Sequence, residues 1–121
     1  MSRLRMAGTL MGVLALMPWS TRAMADNYGA IAFSQSTGAH GYSNDYRTRA
    51  AAERRALEEC GRDCEVVLWF VNACGALATG DDNGYGTGWA GGRRAAEAIA
   101  LSACHSNATN CGILRWVCTT R

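Results

Sequence analysis

The sequence contains no lysine, a single proline (Pro18) and only two histidines. Each shortage closes off a class of function. Without lysine, the glycine-rich run Gly84-Tyr85-Gly86-Thr87-Gly88-Trp89 lacks the ammonium group of a Walker phosphate loop, and its spacing is not a dinucleotide fingerprint. Glycines alternating with aromatics fit a strand that another backbone approaches closely. His40 and His105 stand apart, in no Gly-x-Ser-x-Gly or His-x-x-x-His setting. No nucleophile–base pair or zinc-protease motif is therefore readable, and both are read as surface histidines. Paired Cys-x2-Cys knuckles are absent, which argues against a zinc ribbon. A bilayer-spanning run is missing too: the uncharged apolar stretch from Met6 to Met17 has about a dozen residues, against ~20 for a span.

That short stretch fits a different role. Arg3 and Arg5 precede it, Pro18 ends it, and Ala23-Met24-Ala25 offers the small-x-small pattern of a signal-peptidase site. Residues 1–25 are expected to be a cleaved signal peptide, residues 26–121 one exported domain, and the location the periplasm or the exterior. No cysteine sits at the cleavage point, so a lipid anchor is not expected. Three of the twelve basic residues, all arginines, would leave with the signal; nine would remain against ten acids. The mature domain then lacks the basic footprint of a nucleic-acid binder.

All six cysteines (Cys60, Cys64, Cys74, Cys104, Cys111 and Cys118) fall in the mature part. An even count in a small exported chain argues for disulfides, with 15 conceivable connectivities for six thiols. An internal repeat narrows the choice. Ala51-Ala52-Glu53 through Ala56-Leu57 to Cys60 matches Ala95-Ala96-Glu97 through Ala100-Leu101 to Cys104 at an offset of 44. Cys64 and Val66-Val67-Leu68-Trp69 match Cys111 and Ile113-Leu114-Arg115-Trp116 at 47. Upstream, Gly29-Ala30-Ile31-Ala32 matches Gly75-Ala76-Leu77-Ala78, and Gly41-Tyr42-Ser43 reads against Gly88-Trp89-Ala90, which makes Tyr42 and Trp89 equivalents. The units run from about 28 to 73 and from 74 to 121.

Each unit parses as strand, strand, helix, strand. Strands are expected near 29–34, 39–44 and 65–71, then 75–79, 85–90 and 112–118, with an Asn83-Gly84 turn signal in the second hairpin. Helices are expected over 47–60 and 92–104. Their apolar faces are Ala52, Ala56, Leu57, Cys60 and Ala96, Ala100, Leu101, Cys104, one helical stripe each. Gly61 suits a helix C-cap. The expected fold is α+β: two ββαβ pseudo-repeats, a mainly antiparallel sheet of about six strands, two helices and disulfide staples.

Cys60 and Cys64 flank the helix-to-strand turn of the first unit as Cys104 and Cys111 flank that of the second. Residues four apart at a helix end lie about 6 Å apart by Cα, within disulfide reach. Equivalent positions should pair equivalently, which leaves Cys74 with Cys118. That last bridge is expected to tie the two units together. Its 44-residue separation gives about 4 kcal/mol in the chain-entropy treatment, against about 2 kcal/mol for the shortest loop.

The segments Tyr28-Gly29-Ala30-Ile31-Ala32, Trp69-Phe70-Val71-Asn72-Ala73-Cys74-Gly75-Ala76-Leu77-Ala78 and Cys111 to Cys118 resemble an exported bacterial family known only as a domain of unknown function, number 4189. The resemblance implies a secreted or periplasmic domain with paired cysteines. It implies no reaction.

Candidate sites are few. Asp81-Asp82-Asn83-Gly84 lacks the spacing and terminal glutamate of a calcium loop and reads as a turn. Glu58 and Glu59, with Arg54, Arg55 and Arg62 nearby, read as an ion-paired helix face. Asn107-Ala108-Thr109 matches a glycosylation sequon but is discounted in a bacterial-looking chain. Tyr42, Tyr46 and Trp89, with Arg47 and Arg93 at the helix starts, are the candidate binding residues, suited to anchor a protein or stack on a glycan. The leading expectation is a non-catalytic extracytoplasmic binding module of inhibitor, immunity or secreted-interaction type, without metal or cofactor. A small cell-wall or glycan hydrolase using Glu53 and Glu97, or a structural envelope protein, are the alternatives.

Overall fold

A computed structural model describes residues 25–121. The signal peptide expected over 1–25, Ala25 excepted, lies outside the described residues. The elements follow the expected order: β1 (Tyr28–Phe33), β2 (His40–Tyr46), α1 (Arg49–Cys60), β3 (Glu65–Val71), β4 (Cys74–Thr79), a short 3-10 turn (Asp81–Asn83), β5 (Tyr85–Ala90), α2 (Arg93–His105) and β6 (Gly112–Cys118). Over the described residues the fold is α+β, with six antiparallel strands and two helices.

The six strands divide between two three-stranded sheets, one per repeat, in the orders β2-β1-β3 and β5-β4-β6. The cause lies in the central strands. In β1, Ala30 and Ala32 face α1, while Ile31 and Phe33 face the other way. In β4, Ala76 and Ala78 face α2, while Leu77 faces the first sheet. Both faces of each central strand are apolar, so each sheet needs a cover on both sides. A helix supplies one cover and the opposite sheet the other. The result is four layers, α1, sheet, sheet, α2, with the main core of Ile31, Phe33, Phe70, Leu77 and Val117 between the sheets.

Small residues set the outer spacings. Ala52, Ala56 and Cys60 of α1, and Ala96, Ala100 and Cys104 of α2, are the buried helix positions. Leu57, expected on that stripe, is 36% exposed; its i+5 position turns it away from the i, i+4, i+8 line. Beneath the helices, a Cβ on Gly41 would collide with Ala56 O and Cys60 N, and one on Gly86 with Ala100 O and Cys104 N. Thr48 caps α1 by accepting the Ala51 amide at 3.1 Å, and Gly61 ends it at φ +94°.

At the centre, the Phe70 ring lies between two repeat-equivalent glycines. A Cβ on Gly29 or Gly75 would strike that ring. One aromatic therefore fills space that both repeats leave empty.

The bridges are Cys60–Cys64, Cys104–Cys111 and Cys74–Cys118. Cys74 opens β4 and Cys118 closes β6, and the two are direct cross-strand partners. This bridge therefore lies within the second sheet and does not tie the units together. In the first sheet the same place is taken by the pair Tyr28 and Val71. All three bridges are internal to a repeat, so the contact between the sheets rests on apolar burial and hydrogen bonds.

Candidate functional site

On each of the two outer faces the same arrangement of exposed side chains occurs. Near the start of α1, Arg49 Nε donates to Glu53 Oε2 at 2.8 Å, and its guanidinium lies 4.4 Å from the centroid of Trp69 on β3. At the start of α2, Arg93 Nε donates to Glu97 Oε2 at 2.9 Å and lies 3.9 Å from the centroid of Trp116 on β6. The carboxylate fixes the guanidinium, whose flat face then covers the indole. Both tryptophans stay about 40% exposed. Large rings held in one orientation lose little entropy when a partner covers them.

Glu53 and Glu97, the expected carboxylate pair of the hydrolase alternative, are each engaged by an arginine of their own helix. They lie on opposite outer layers, and the fold does not bring them together.

A second contrast lies along the two edges of the sheet sandwich. At one edge β2 faces β6. Arg115 Nε donates to His40 Nε2 at 3.2 Å, and its guanidinium sits 4.4 Å from the centroid of the Tyr42 ring. Asp45 Oδ1 accepts the Thr120 amide at 2.9 Å, closing the same edge. Burial, and secondarily the Arg115 charge, push the His40 pKa below its ordinary value of 6.5. At the other edge β3 faces β5, and an apolar groove of about 390 Å³ remains, lined by Val67, Leu68, Trp69, Phe70, Val71 and Trp89. Trp89 overhangs it and is 57% exposed.

The strand register explains the difference. Ile31 pairs with Tyr42, and its repeat mate Leu77 pairs with Thr87. Ile31 also pairs with Leu68, and Leu77 with Arg115. Tyr42 and Arg115 at the closed edge thus correspond to Thr87 and Leu68 at the open one. Arg115 stacked on Tyr42 fills one edge, whereas at the other Leu68 stands in the place of Arg115 and lines the groove that remains.

The same register corrects an expectation. Tyr42 corresponds to Thr87, not to Trp89: the strand offset is 45, one more than the helix offset of 44, because β2 carries an extra residue near Asp45, where the pairing shifts and φ is +64°. Tyr42 and Trp89 lie at opposite edges of the sandwich and form no common patch. Tyr46 shares a shallow polar cleft with Tyr42, Arg55 and Glu59. Arg47 is exposed just ahead of α1. Among the expected binding residues, only Arg93 joins one of the outer-face stacks.

Arg49, Trp69, Trp116 and Arg115 were not among the sequence candidates. Trp69 and Trp116 already matched in the repeat, and extending the helix offset of 44 pairs Arg49 with Arg93. That coincidence was the available signal.

The remaining candidates are structural. Asp81 Oδ2 accepts from Thr109 Oγ1 at 2.8 Å and Asn110 Nδ2 at 2.7 Å, which ties two loops together. Asn107 Nδ2 donates to Tyr85 O at 2.9 Å and so serves the fold. Among the described residues no three His, Cys, Asp or Glu side chains are grouped to hold a metal ion, and no helix is long and apolar enough to cross a membrane.

Comparison with known proteins agrees with this architecture. The chain is 55% identical over 58 residues to protein Rv1269c of Mycobacterium tuberculosis, a match covering 47% of this chain and 45% of that protein. It is 43% identical over 94 residues to the uncharacterized protein Rv1813c of the same organism, covering 76% of this chain and 60% of that one. The chain thus spans about half the length of the first relative and somewhat more of the second. The NMR structure of Rv1813c from Mycobacterium tuberculosis superposes with a TM-score of 0.60 at 32% identity, over 98% of this chain and 94% of that one. Residues 28–118 match the family described as domain of unknown function DUF4189, and the chain belongs to that family.

Proposed function

We infer that this protein is a non-catalytic binding module that works outside the cytoplasm and recognises a partner protein through its outer faces. The observation that carries the reading is the twofold Glu–Arg–Trp stack, Glu53–Arg49–Trp69 and Glu97–Arg93–Trp116. Tryptophan and arginine dominate the energetics of protein interfaces, and here both are exposed and already ordered. The separation of the two glutamates favours this reading over a glycan hydrolase, which would need its carboxylates on either side of one bond. Three disulfides and the Ala23-Met24-Ala25 site support export, with cleavage before Asp26.

The test is recovery of the tagged exported protein with its partners under mild cross-linking. The N-terminus of the recovered chain should be Asp26. Wild type should retain a stoichiometric partner that Trp116→Ala and Arg93→Ala lose, each weakening binding by about 2 kcal/mol. Glu53→Gln and Glu97→Gln should leave no glycan-cleaving activity to abolish. Partner retention by both Trp116→Ala and Arg93→Ala would refute the outer-face reading, and an activity lost with either glutamate would establish the hydrolase.

A further inference from the structure

The two edges of the sandwich are solutions of the same geometric problem, and only one of them is complete within the chain. At the β2/β6 edge the space between the sheets is filled by Arg115, stacked on Tyr42 and bonded to His40. At the β3/β5 edge Leu68 takes the place of Arg115, and the groove of about 390 Å³ stays open under Trp89. Folding does not require this vacancy, since the other edge shows side chains that close it.

We propose that a second copy of this chain closes the open groove, through antiparallel pairing of the two β3 edges. Three observations choose this occupant. First, β3 is an edge strand, so its outward backbone N–H and C=O groups need a partner that carries the same groups. That chemistry belongs to a polypeptide strand and not to a lipid or a sugar. Second, the surface to be covered is uncharged. Of the seven residues Glu65-Val66-Val67-Leu68-Trp69-Phe70-Val71 only the first is charged, and it stands at the end of the strand. The matching strand must be equally apolar.

Third, among the described edge strands only β3 is both uncharged beyond its first residue and free of glycine. β2 is polar and shifted in register near Asp45, β5 alternates with glycine, and β6 carries Arg115 at the place of Leu68. Inward charges and irregularities of this kind discourage pairing between sheets of different molecules. The edge that lacks the charge complements itself, as a twofold dimer requires. Pairing through Leu68–Val71, beyond the register shift beside Ile31, would set the two grooves side by side. This proposal uses the groove and β3, and is independent of Trp116 and Arg93, on which the binding reading is tested.

The experiment is sedimentation equilibrium on the purified disulfide-bonded protein from about 1 μM to about 1 mM, a range that brackets weak and moderate dimers. Wild type should reach twice the chain mass. The Leu68→Arg variant transplants the charge of the closed edge onto β3 at the position equivalent to Arg115. It should remain monomeric throughout, a weakening of at least about a hundredfold. Val67→Lys offers a second disruption should the transplant fail to fold. In wild type, amide exchange at Leu68–Val71 should slow as concentration rises, while exchange in β6 stays constant. A wild-type monomer at the highest concentration would overturn the proposal. So would a folded transplant that still dimerises, concentration-dependent protection elsewhere than β3, or uptake of a small apolar dye by a groove that stays monomeric.

Discussion

Phe70 is the residue on which the contact between the two repeats should depend most, and its neighbours make a quantitative test possible. Its side chain is 2% exposed and lies in the inter-sheet core with Ile31, Phe33, Leu77 and Val117. No disulfide crosses that interface, so truncation removes burial that nothing covalent replaces. Phe70→Ala should destabilise the protein by about 3–5 kcal/mol. For a domain of this size that is a large share of an expected 5–15 kcal/mol, and melting should fall by about 15 °C or more. The sharper expectation concerns Gly75. A Cβ there would lie 2.5 Å from Phe70 Cε1, 2.6 Å from Cδ1 and 2.9 Å from Leu68 Cδ2, all side-chain atoms. Gly75→Ala alone should therefore cost about 1–3 kcal/mol by overpacking. In the Phe70→Ala background the ring is gone, and the added methyl fills part of the cavity instead. The two changes should then couple by at least about 1 kcal/mol, read from urea unfolding of the four proteins of the cycle. Additivity within about 0.5 kcal/mol would refute the account of Phe70 as the ring both glycines make room for.

Two further outcomes follow from the bridges and from the closed edge. Removing Cys74–Cys118 as Cys74→Ala with Cys118→Val should cost about 4 kcal/mol, and removing Cys60–Cys64 as paired alanines about 2 kcal/mol, by the entropy of the loops they close; denaturant midpoints at equal slope check the order, and the reverse order would refute it. His40 accepts a hydrogen bond from Arg115 and has its pKa lowered in the fold, so the folded state binds its proton less readily than the unfolded chain does. Stability from this group is therefore complete above the ordinary value of 6.5 and declines as pH falls from there through the lowered folded value. Melting temperatures should show that decline in wild type and lose it in His40→Gln; identical profiles would remove His40 from the account.

Much of this architecture could be read from the chain because it is written in short-range periodicity. The helix stripes at Ala52, Ala56, Cys60 and Ala96, Ala100, Cys104 need only a 3.6-residue period. The helix-end bridges need only that period and the repeat. The division into two sheets was harder to see, since Gly29-Ala30-Ile31-Ala32-Phe33 is apolar on both faces and alternation gives no polar side to expose. Read physically, that run already called for two covers. Register was out of reach for a different reason. One extra residue near Asp45, in a left-handed conformation, sets the β2 offset at 45, so the match of Gly41-Tyr42-Ser43 to Gly88-Trp89-Ala90 at an offset of 47 is two residues out. The candidate site suffered most. Trp69 and Trp116 look like core residues in sequence, and the arginine that stacks on each lies 20 or 23 positions earlier, its place over the ring set by how each helix lies beside its edge strand.

The pairing of positions between repeats separates what the fold requires from what it leaves free. Where both repeats meet the same packing demand with the same small or bridged residues, the solution belongs to the scaffold: glycine under each helix, alanine on each helix face and a bridge at each helix end. The inter-sheet edges break this rule. Each edge is compatible with the same backbone, since both occur in one molecule related by the pseudo-twofold. The difference between Arg115 with Tyr42 and Leu68 with Thr87 therefore cannot be attributed to folding. Nor is the open edge simply a relaxed copy of the closed one, for the position of Asn44 there holds Trp89, the most exposed large apolar side chain among the described residues. A large ring in water beside an unfilled apolar groove is unfavourable for an isolated chain. Its presence on one edge and not on the other is the asymmetry that a binding partner at that edge would explain.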